Sequence, residues 1–304
     1  MFHITIRPDT FIIDKKLNNQ NPYSVSNEKV NRKLALEQHK NITNQLSRNV
    51  NYVVKKEELY IPDIVFVANG GLSLPRLPES VVILPWMKFG QRKNELSYLK
   101  QIYEDLNIKT IDFPGSLHAP YEGAAESKWF NNGELLVMGY GFRSTKETVH
   151  IMRSLLNDIY TSFSIEPPRI ISFQIQSFNY YHLDIAMLEL SQSECIIHKD
   201  AIKPKDILRL NHYLGTIHLI DTEDKFCLNS IVEGDNLITH KFKDVLVKKQ
   251  LEEMSGKNII ECDTSEFEKA GGSVRCMVMD IFDPRLIKRK RRTPSSSSPS
   301  SPKH

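Results

Sequence analysis

The sequence predicts an α/β fold in which a group of strands and a helix recurs along the whole chain. Short apolar runs bounded by proline and glycine, such as residues 63–67 and 81–84, predict buried strands. Between residues 91 and 106 the apolar side chains recur at steps of three and four, which predicts a helix with one buried face. The group repeats about every fifty to sixty residues, which indicates five units closed into a propeller-like ring. Periodicity by itself is equally compatible with an ordinary doubly wound α/β sheet.

The remaining elements follow from the same patterns, taken in chain order. Residues 1–8 have a strand pattern, with no basic region ahead of an apolar leader. Ser144 and Glu147 have the spacing of a capping box, which predicts a helix from there to about residue 160. Further strands are predicted at residues 109–113, 135–138, 169–176, 183–190, 216–220, 226–232, 258–262 and 275–281, and further helices at residues 203–213 and 243–255.

The positive charge of the chain is concentrated in a C-terminal tail. The net charge of the 304 residues is +3, but residues 285–304 hold seven basic residues and no acidic ones. The remainder carries 33 basic and 37 acidic residues, so we do not expect the body of the protein to bind nucleic acid. We expect a single catalytic domain at residues 1–283 and a disordered tail at residues 284–304. A basic, serine- and proline-rich segment cannot bury enough apolar surface to fold.

The cysteines and histidines indicate neither disulfides nor a metal site. The four cysteines have no paired or metal-finger spacing, and the histidines are scattered without ligand spacing. We therefore expect free thiols, no bound metal and a reducing compartment, the cytoplasm. The sequence holds no run of 18 consecutive apolar residues, so we do not expect a membrane span. Residues 288–292, Lys-Arg-Lys-Arg-Arg, are also compatible with a nuclear-targeting signal.

Three polar clusters interrupt strand-like segments, and such strand ends are common places for active sites. Asn69 precedes two glycines, which is typical of a turn and also of an amide that faces a closely approaching ligand. Glu122, in Tyr-Glu-Gly-Ala-Ala-Glu, is compatible with a surface loop or with a carboxylate that binds a cationic substrate. His182 and Asp184 stand two apart in a predicted strand, so they should project from the same face. A carboxylate beside an imidazole stabilises its protonated form and fixes its orientation.

Cys276 ends the run Gly-Gly-Ser-Val-Arg-Cys at residues 271–276. The two glycines allow a tight turn just before a strand, and Arg275 beside the thiol favours the thiolate, which is the nucleophilic form. A small buried core residue is the alternative interpretation of a cysteine in this position. His182 offers the base that a nucleophilic thiol needs, but no spacing in the sequence brings Glu122, His182 and Cys276 together.

These motifs together resemble those of the pentein, or guanidino-group-modifying, superfamily, over roughly residues 1–283. That superfamily includes arginine deiminases, dimethylarginine dimethylaminohydrolases, arginine:glycine amidinotransferases and arginine dihydrolases. The resemblance rests on the strand end at residues 66–69, on Glu-Gly at residues 122–123, on His-Leu-Asp at residues 182–184 and on residues 271–277. It implies a five-bladed α/β propeller of ββαβ-type units in one domain.

The resemblance also implies a role for each motif residue. Cys276 would attack the guanidinium carbon of a small-molecule substrate. His182 would carry protons to the leaving amine and from the incoming water. Glu122 and Asp184 would hold the guanidinium N–H groups. Four further residues match substrate-binding positions of relatives: Asn69, Arg143, Asn21 and Arg92. Arg92 is equally compatible with a solvated residue at the start of a helix. No metal or organic cofactor is implied, and a homo-oligomer is left open.

Asn69 departs from the aspartate that many arginine deiminases carry, and with Asn21 it resembles the arginine dihydrolase branch. Asparagine can donate a hydrogen bond to the carbonyl oxygen of a ureido product, which aspartate would repel. The hypothesis is a cysteine-dependent hydrolase of arginine or a close derivative, which yields ornithine and ammonia if it acts twice. Residues 124–126, Ala-Ala-Glu, depart from the family's usual pattern and leave an amidinotransferase open. A catalytically silent binding pentein is the third alternative, and the complete Cys/His/carboxylate set argues against it.

Overall fold

Five separate sheets of three strands each make up the β-structure of residues 1–13, 22–23, 29–54 and 60–286, the residues that the computed structural model describes. The strands are β1 (Phe2–Ile6), β2 (Asn49–Tyr52), β3 (Leu72–Ser73), β4 (Val81–Leu84), β5 (Lys109–Asp112), β6 (Ser127–Phe130), β7 (Leu135–Tyr140), β8 (Arg169–Gln174), β9 (Met187–Ser191), β10 (Glu194–His198), β11 (Thr216–Ile220), β12 (Ile231–Glu233), β13 (Asn236–His240), β14 (Asn258–Cys262) and β15 (Met279–Ile281). The α-helices are α1 (Arg32–Thr43), α2 (Gly90–Lys93), α3 (Glu95–Asp105), α4 (Lys146–Ser162), α5 (Leu183–Ala186), α6 (Pro204–Asn211), α7 (Val245–Ser255) and α8 (Ser265–Glu268).

The sheet formed by β6, β7 and β8 shows the unit that all five sheets share. β6 runs antiparallel to β7, and Ser127 pairs with Met138. β7 runs parallel to β8, and Leu135 pairs with Arg169. Parallel neighbours need a crossover connection, which α4 supplies here. The corresponding crossovers in the other sheets contain α1, α3, α6 and α7. The ββαβ-type repeat predicted from the sequence is therefore confirmed.

The last strand of the chain completes the first sheet. β15 lies antiparallel to β1, with Phe2 opposite Ile281, and β1 is parallel to β2. Because both ends of the described fold share one sheet, the five units close into a ring, and the predicted five-bladed α/β propeller is confirmed. The alternative prediction of a doubly wound sheet is wrong, since no sheet among the described residues exceeds three strands.

The first strand of each unit faces the axis of the ring. Residues of β3, β6, β9, β12 and β15 jointly line one cavity of about 520 Å³. Five strands from five sheets can line a common cavity only if each is the innermost strand of its blade. The segments that lead into these inner strands therefore meet around the axis, and they carry the polar clusters singled out above.

Each inner strand begins after a tight turn or a single helical turn, so the strand predicted at residues 63–67 is wrong and three others are wrong in part. Residues 63–67 and 226–229 form turns, residues 183–186 form α5 and residues 275–277 form a 3₁₀ turn, where the sequence pattern predicted strand. The turns are as completely buried as the strands that follow, so their apolar runs do not distinguish the two structures. In particular, His182 caps α5 and Asp184 lies in its first turn, so the two residues do not alternate along a strand as predicted.

Two helices also differ from their predictions in detail. α4 begins one residue later than predicted, because Thr145 is its N-cap and forms a capping box with Thr148. The Ser144 hydroxyl instead contacts Glu126 and the carbonyl of Gly139. The helix predicted at residues 91–106 is divided into α2 and α3. No helix within the described ranges has the length and apolar character needed to cross a membrane.

Candidate active site

Side chains from three different blades meet on one face of the ring. The Nε2 atom of His182 lies 2.8 Å from Glu122 Oε2, although 60 residues separate the two. The side-chain amide nitrogen of Asn69 lies 3.3 Å from Glu122 Oε2 and 3.4 Å from His182 Nε2. All three residues precede the inner strand of their own blade, and all three are buried. The ring thus brings together residues that the sequence could only nominate one at a time.

Cys276 lies in the same cluster, at the turn before β15. Its sulfur is 3.3 Å from Asp184 Oδ2, which accepts a hydrogen bond from the thiol. The side-chain amide of Asn229 donates to the sulfur across 3.1 Å, and its Oδ1 accepts the backbone N–H of Cys276 at 3.2 Å. The same amide also donates to the carbonyl of Asp184 at 3.1 Å. Asn229 therefore fixes the thiol and the turn that carries it.

Asn229 was missed in the sequence analysis. It lies in the turn before β12, inside the segment predicted as a strand at residues 226–232. The sequence nevertheless contains a signal for it. In four of the five predicted repeats a polar residue at the end of an apolar run is identified as a site candidate, and the fourth repeat along the chain lacks such a candidate. Applying the repeat strictly would have pointed to Asn229, the only amide side chain in that segment.

Cys276 is a neutral thiol in the site as it stands. Burial raises the pKa of Cys276 well above its ordinary value, and the charge of Asp184 raises it further. The expectation that Arg275 favours the thiolate is wrong, because Arg275 lines the axial cavity of about 520 Å³ and Cys276 lines the cavity of the site. Arg275 Nη2 instead binds Asp280 at 2.8 Å, on β15.

Glu122 and His182 have opposite protonation preferences. Burial raises the pKa of Glu122, but Arg143 and His182 outweigh it and hold that pKa well below its ordinary range. Burial lowers the pKa of His182, and this effect outweighs the bond to Glu122. The pair is therefore an ionised carboxylate and a neutral imidazole whose Nε2–H donates to it. A neutral imidazole can accept a proton, as a general base must.

The cations predicted to bind substrate have different surroundings. Arg143 Nη1 lies 3.1 Å from Glu122 Oε2, and its guanidinium is sandwiched between the rings of Phe89 and Tyr181, at 4.6 and 4.7 Å. Arg92 lines the site cavity too. Its Nε and Nη2 atoms each lie 2.8 Å from a carboxylate oxygen of Glu95, within α3. Asn21, also predicted to bind substrate, lies outside the residues that the structure describes.

The cavity at this site is small. It measures about 30 Å³, which is room for about two water molecules. Two carboxylate oxygens at the site, Asp184 Oδ1 and Glu126 Oε1, are buried without a hydrogen-bond partner among the described residues. Buried acceptors of this kind are normally satisfied, so these two are suited to the N–H groups of a small cation. Among the residues that the structure describes, no group of histidine, cysteine or carboxylate side chains is arranged to hold a metal ion.

Comparisons with known proteins agree with this arrangement. The model of the family described as N,N dimethylarginine dimethylhydrolase, eukaryotic, matches residues 7–283. The chain is 25% identical over 284 residues to the bifunctional arginine dihydrolase/ornithine cyclodeaminase ArgZ of Synechocystis sp.. That match covers 92% of this chain but 37% of ArgZ, so the chain spans little more than a third of that relative. It is also 23% identical over 228 residues to the N(G),N(G)-dimethylarginine dimethylaminohydrolase of Mycobacterium tuberculosis, covering 73% of this chain and 67% of the enzyme.

Solved structures show the same fold. The N-terminal domain of Synechocystis ArgZ, in a mutant bound to its substrate, superposes with a TM-score of 0.76 at 22% identity. The match covers 92% of this chain and 98% of that domain. A dimethylarginine dimethylaminohydrolase adduct superposes with a TM-score of 0.61 at 19% identity, covering 92% of this chain and 99% of that one.

Proposed function

The chain belongs to the family described as eukaryotic N,N dimethylarginine dimethylhydrolases, and from this premise we propose that it is a cysteine-dependent hydrolase of the guanidino group of arginine. One observation carries the proposal. A thiol and a neutral imidazole line one small cavity, and buried oxygens of Glu122 and Asp184 lie 2.8 Å from the imidazole and 3.3 Å from the sulfur. The other oxygen of Asp184 has no hydrogen-bond partner among the residues that the structure describes. A planar cation with several N–H donors is the ligand that such a cavity lacks.

Substrate binding would activate the nucleophile. Glu122 and Asp184 accept hydrogen bonds from the guanidinium, which places a positive charge beside the Cys276 sulfur. A neighbouring cation favours the thiolate over the thiol and so offsets the burial that keeps Cys276 neutral. The thiol proton passes to His182, which is neutral and able to accept it.

Each hydrolytic cycle then needs two substitutions at the guanidino carbon. The Cys276 sulfur bonds to that carbon, and the C–N bond breaks as His182 returns its proton to the leaving ammonia. Water adds to the cationic covalent intermediate and gives one proton to His182, the C–S bond breaks, and the thiol reforms with that proton. The remaining proton passes to solvent, where the released ammonia takes it up as ammonium. The product of the first cycle is a ureido compound, citrulline in the case of arginine.

Asn69 supports a second cycle on the same molecule. Its amide nitrogen faces Glu122 and His182, so its N–H groups point into the part of the site where the new carbonyl oxygen would lie. A donor there retains the ureido group for attack by Cys276, which expels the second ammonia and leaves a thiocarbamate on the sulfur. Water then breaks the C–S bond, and the carbamate that is released loses carbon dioxide and leaves ornithine. We propose arginine dihydrolysis as the activity on this ground.

Arg143 would bind the carboxylate of the substrate after an exchange of partners. In the site as it stands its guanidinium is bonded to Glu122. A substrate guanidinium that takes over Glu122 frees Arg143 for the other end of the same molecule. The cavity must widen in any case, because about 30 Å³ does not admit arginine.

Methylated arginines are the second candidate substrates, because the matching family is described by that activity. Amidino transfer to an amine acceptor is a further alternative on the same intermediate. We also propose that residues 1–283 form the catalytic domain; the tail predicted at residues 284–304 lies, from residue 287 on, outside the residues that the structure describes. The compartment would be the cytoplasm, which the four free cysteines support, or the nucleus if residues 288–292 direct the chain there. A homo-oligomer is compatible with this proposal.

Product analysis tests the proposed activity. The purified full chain is incubated with arginine, agmatine, monomethylarginine or dimethylarginine, with and without glycine as an acceptor, and the products are identified by mass spectrometry. We expect ornithine and ammonia from arginine and little turnover of agmatine, which lacks the carboxylate for Arg143. Cys276→Ser should be inactive, whereas Cys262→Ser, at the end of β14, is the matched control and should retain turnover. Failure to convert any of the four compounds contradicts the proposal.

A further inference from the structure

Glu126 is a second buried carboxyl group at the site, and the chemistry above makes no use of it. It lies four residues after Glu122 and is 1% exposed. Its Oε2 atom contacts the Ser144 hydroxyl, and its Oε1 atom lies 3.5 Å from His182 Nε2 without a hydrogen bond.

The hydrogen bonds of Ser144 indicate whether Glu126 is ionised or protonated. The hydroxyl oxygen of Ser144 is within bonding distance of two oxygens, Glu126 Oε2 and, at 3.0 Å, the carbonyl of Gly139. A serine hydroxyl has one proton to donate, and a backbone carbonyl can only accept. If Ser144 donates to Gly139, its contact with Glu126 needs a proton from the carboxyl group. Both bonds form only when Glu126 is protonated.

The charges around Glu126 favour the same form. Burial raises the pKa of Glu126 well above its ordinary value, and the nearby charge of Glu122 raises it further. Ser144 lowers this pKa only where its hydroxyl donates to the carboxylate, and that donation leaves the carbonyl of Gly139 without the same proton. Arg143 favours ionisation, but its guanidinium nitrogen is bonded to Glu122. The titratable and charged groups that act on Glu126 or feel its charge are Glu122, Arg143, His182, Asp184, Lys88 and Tyr121.

We propose that Glu126 is a neutral carboxylic acid that donates its proton to Ser144, so that one ionised carboxylate instead of two lies within 3.5 Å of His182 and the imidazole remains a base. The proposal rests on the proposed function, in which His182 must take the proton of Cys276. An ionised carboxylate 3.5 Å from the imidazole, added to Glu122 at 2.8 Å, would favour the imidazolium form, which cannot accept a proton. Glu126 thus acts through His182 and does not react itself.

Infrared spectroscopy of the full chain without substrate tests the protonation state directly. Glu126→Gln keeps the shape of the side chain and an N–H donor for Ser144 but has no acid proton. The difference spectrum between the wild type and Glu126→Gln at neutral pH should contain the carbonyl band of a neutral carboxylic acid. A carboxylate band in its place overturns the proposal. If Glu126→Gln does not fold, the carboxyl carbons of ¹³C-glutamate in the wild type give the same answer, since one should keep the chemical shift of the acid form at neutral pH.

The titration of His182 tests the consequence. In a Cys276→Ser background, the imidazole resonances of His182 should titrate in Glu126→Gln as in the parent. In Glu126→Asp the shorter side chain no longer reaches Ser144 and ionises, so the His182 pKa should rise by about one unit or more. The acidic limb of the kcat/KM profile should move to higher pH in the Asp variant with Cys276 intact. Equal His182 titrations in the Asp and Gln variants overturn the proposal. The spectra need no substrate, so an inactive protein that shows the acid band refutes the proposed function alone.

Discussion

The side-chain amide of Asn229 donates a hydrogen bond to the sulfur of Cys276 across 3.1 Å, and the backbone of Cys276 donates to the same amide in return. The two residues are 47 positions apart in sequence and belong to neighbouring blades of the ring. This reciprocal pair fixes the position of the thiol, and its N–H donor stabilises the thiolate once the proton has left.

Replacing Asn229 should therefore weaken the nucleophile. In Asn229→Leu the thiolate loses a charge-assisted hydrogen bond, so we expect turnover to fall about tenfold to a hundredfold. The pKa of Cys276 should rise, and its alkylation by iodoacetamide at neutral pH should slow. Asn258→Ala, at the exposed start of β14, is the control. An unchanged alkylation rate in Asn229→Leu contradicts this role.

Asp184 should have the opposite effect on the free thiol. Burial and the charge of Asp184 together raise the pKa of Cys276, so the thiolate fraction is small at neutral pH and grows as the pH rises. The alkylation rate of Cys276 should increase about tenfold per pH unit until the pKa is reached. Asp184→Asn removes the negative charge, so alkylation at neutral pH should become faster even though substrate turnover is lost. Peptide mapping separates Cys276 from the other three cysteines, and slower alkylation of its peptide counts against the account.

Asn69 should decide how many nitrogen atoms are removed. In Asn69→Asp the residue can no longer donate to the carbonyl oxygen of a ureido group, and its charge repels that oxygen. We expect arginine to be converted to citrulline, with the ornithine yield reduced at least about tenfold. Liquid chromatography of the products measures the ratio. If Asn69→Asp still gives ornithine as its main product, Asn69 is not the determinant.

The Arg92–Glu95 pair allows a test of whether Arg92 binds substrate or supports the fold. Both side chains are buried, and the guanidinium is bonded twice to the carboxylate. Arg92→Met leaves Glu95 buried without its partner, which should lower the free energy of unfolding by about 3–5 kcal/mol. The double variant Arg92→Met/Glu95→Met removes both charges, so it should recover most of that stability. Urea unfolding measures this effect. Recovered stability with a KM still raised at least tenfold assigns Arg92 to substrate binding, and a normal KM assigns it to the scaffold.

The architecture was predictable because it repeats. An order of strand, strand, helix and strand that recurs five times is compatible with few folds. The pairing of β1 with β15 closes the ring, as such a repeat requires. The residues before the inner strands were visible as polar interruptions of apolar runs, which is how Asn69, Glu122, His182 and Cys276 were identified. All four lie at the site where the ring brings the blades together.

What could not be predicted depends on distances between blades. The hydrogen bonds between Asn229 and Cys276 join two blades, and no spacing in the sequence encodes them. The expected effect of Arg275 on the thiol is wrong for a different reason, because Arg275 meets its partner Asp280 only after the turn at residues 275–277 is formed. Buried turns and buried strands both place apolar side chains in the core, so an apolar run predicts a strand in either case.

The central claim is that Cys276 forms a covalent bond with the guanidino carbon of arginine. The most direct measurement uses arginine labelled with ¹³C at that carbon, a rapid acid quench during turnover, and mass spectrometry of the intact protein and its peptides. The account predicts a labelled adduct on the peptide that contains Cys276, absent from Cys276→Ser and present in Cys262→Ser. Consumption of arginine without a labelled adduct at Cys276, or with the label on another residue, would contradict it.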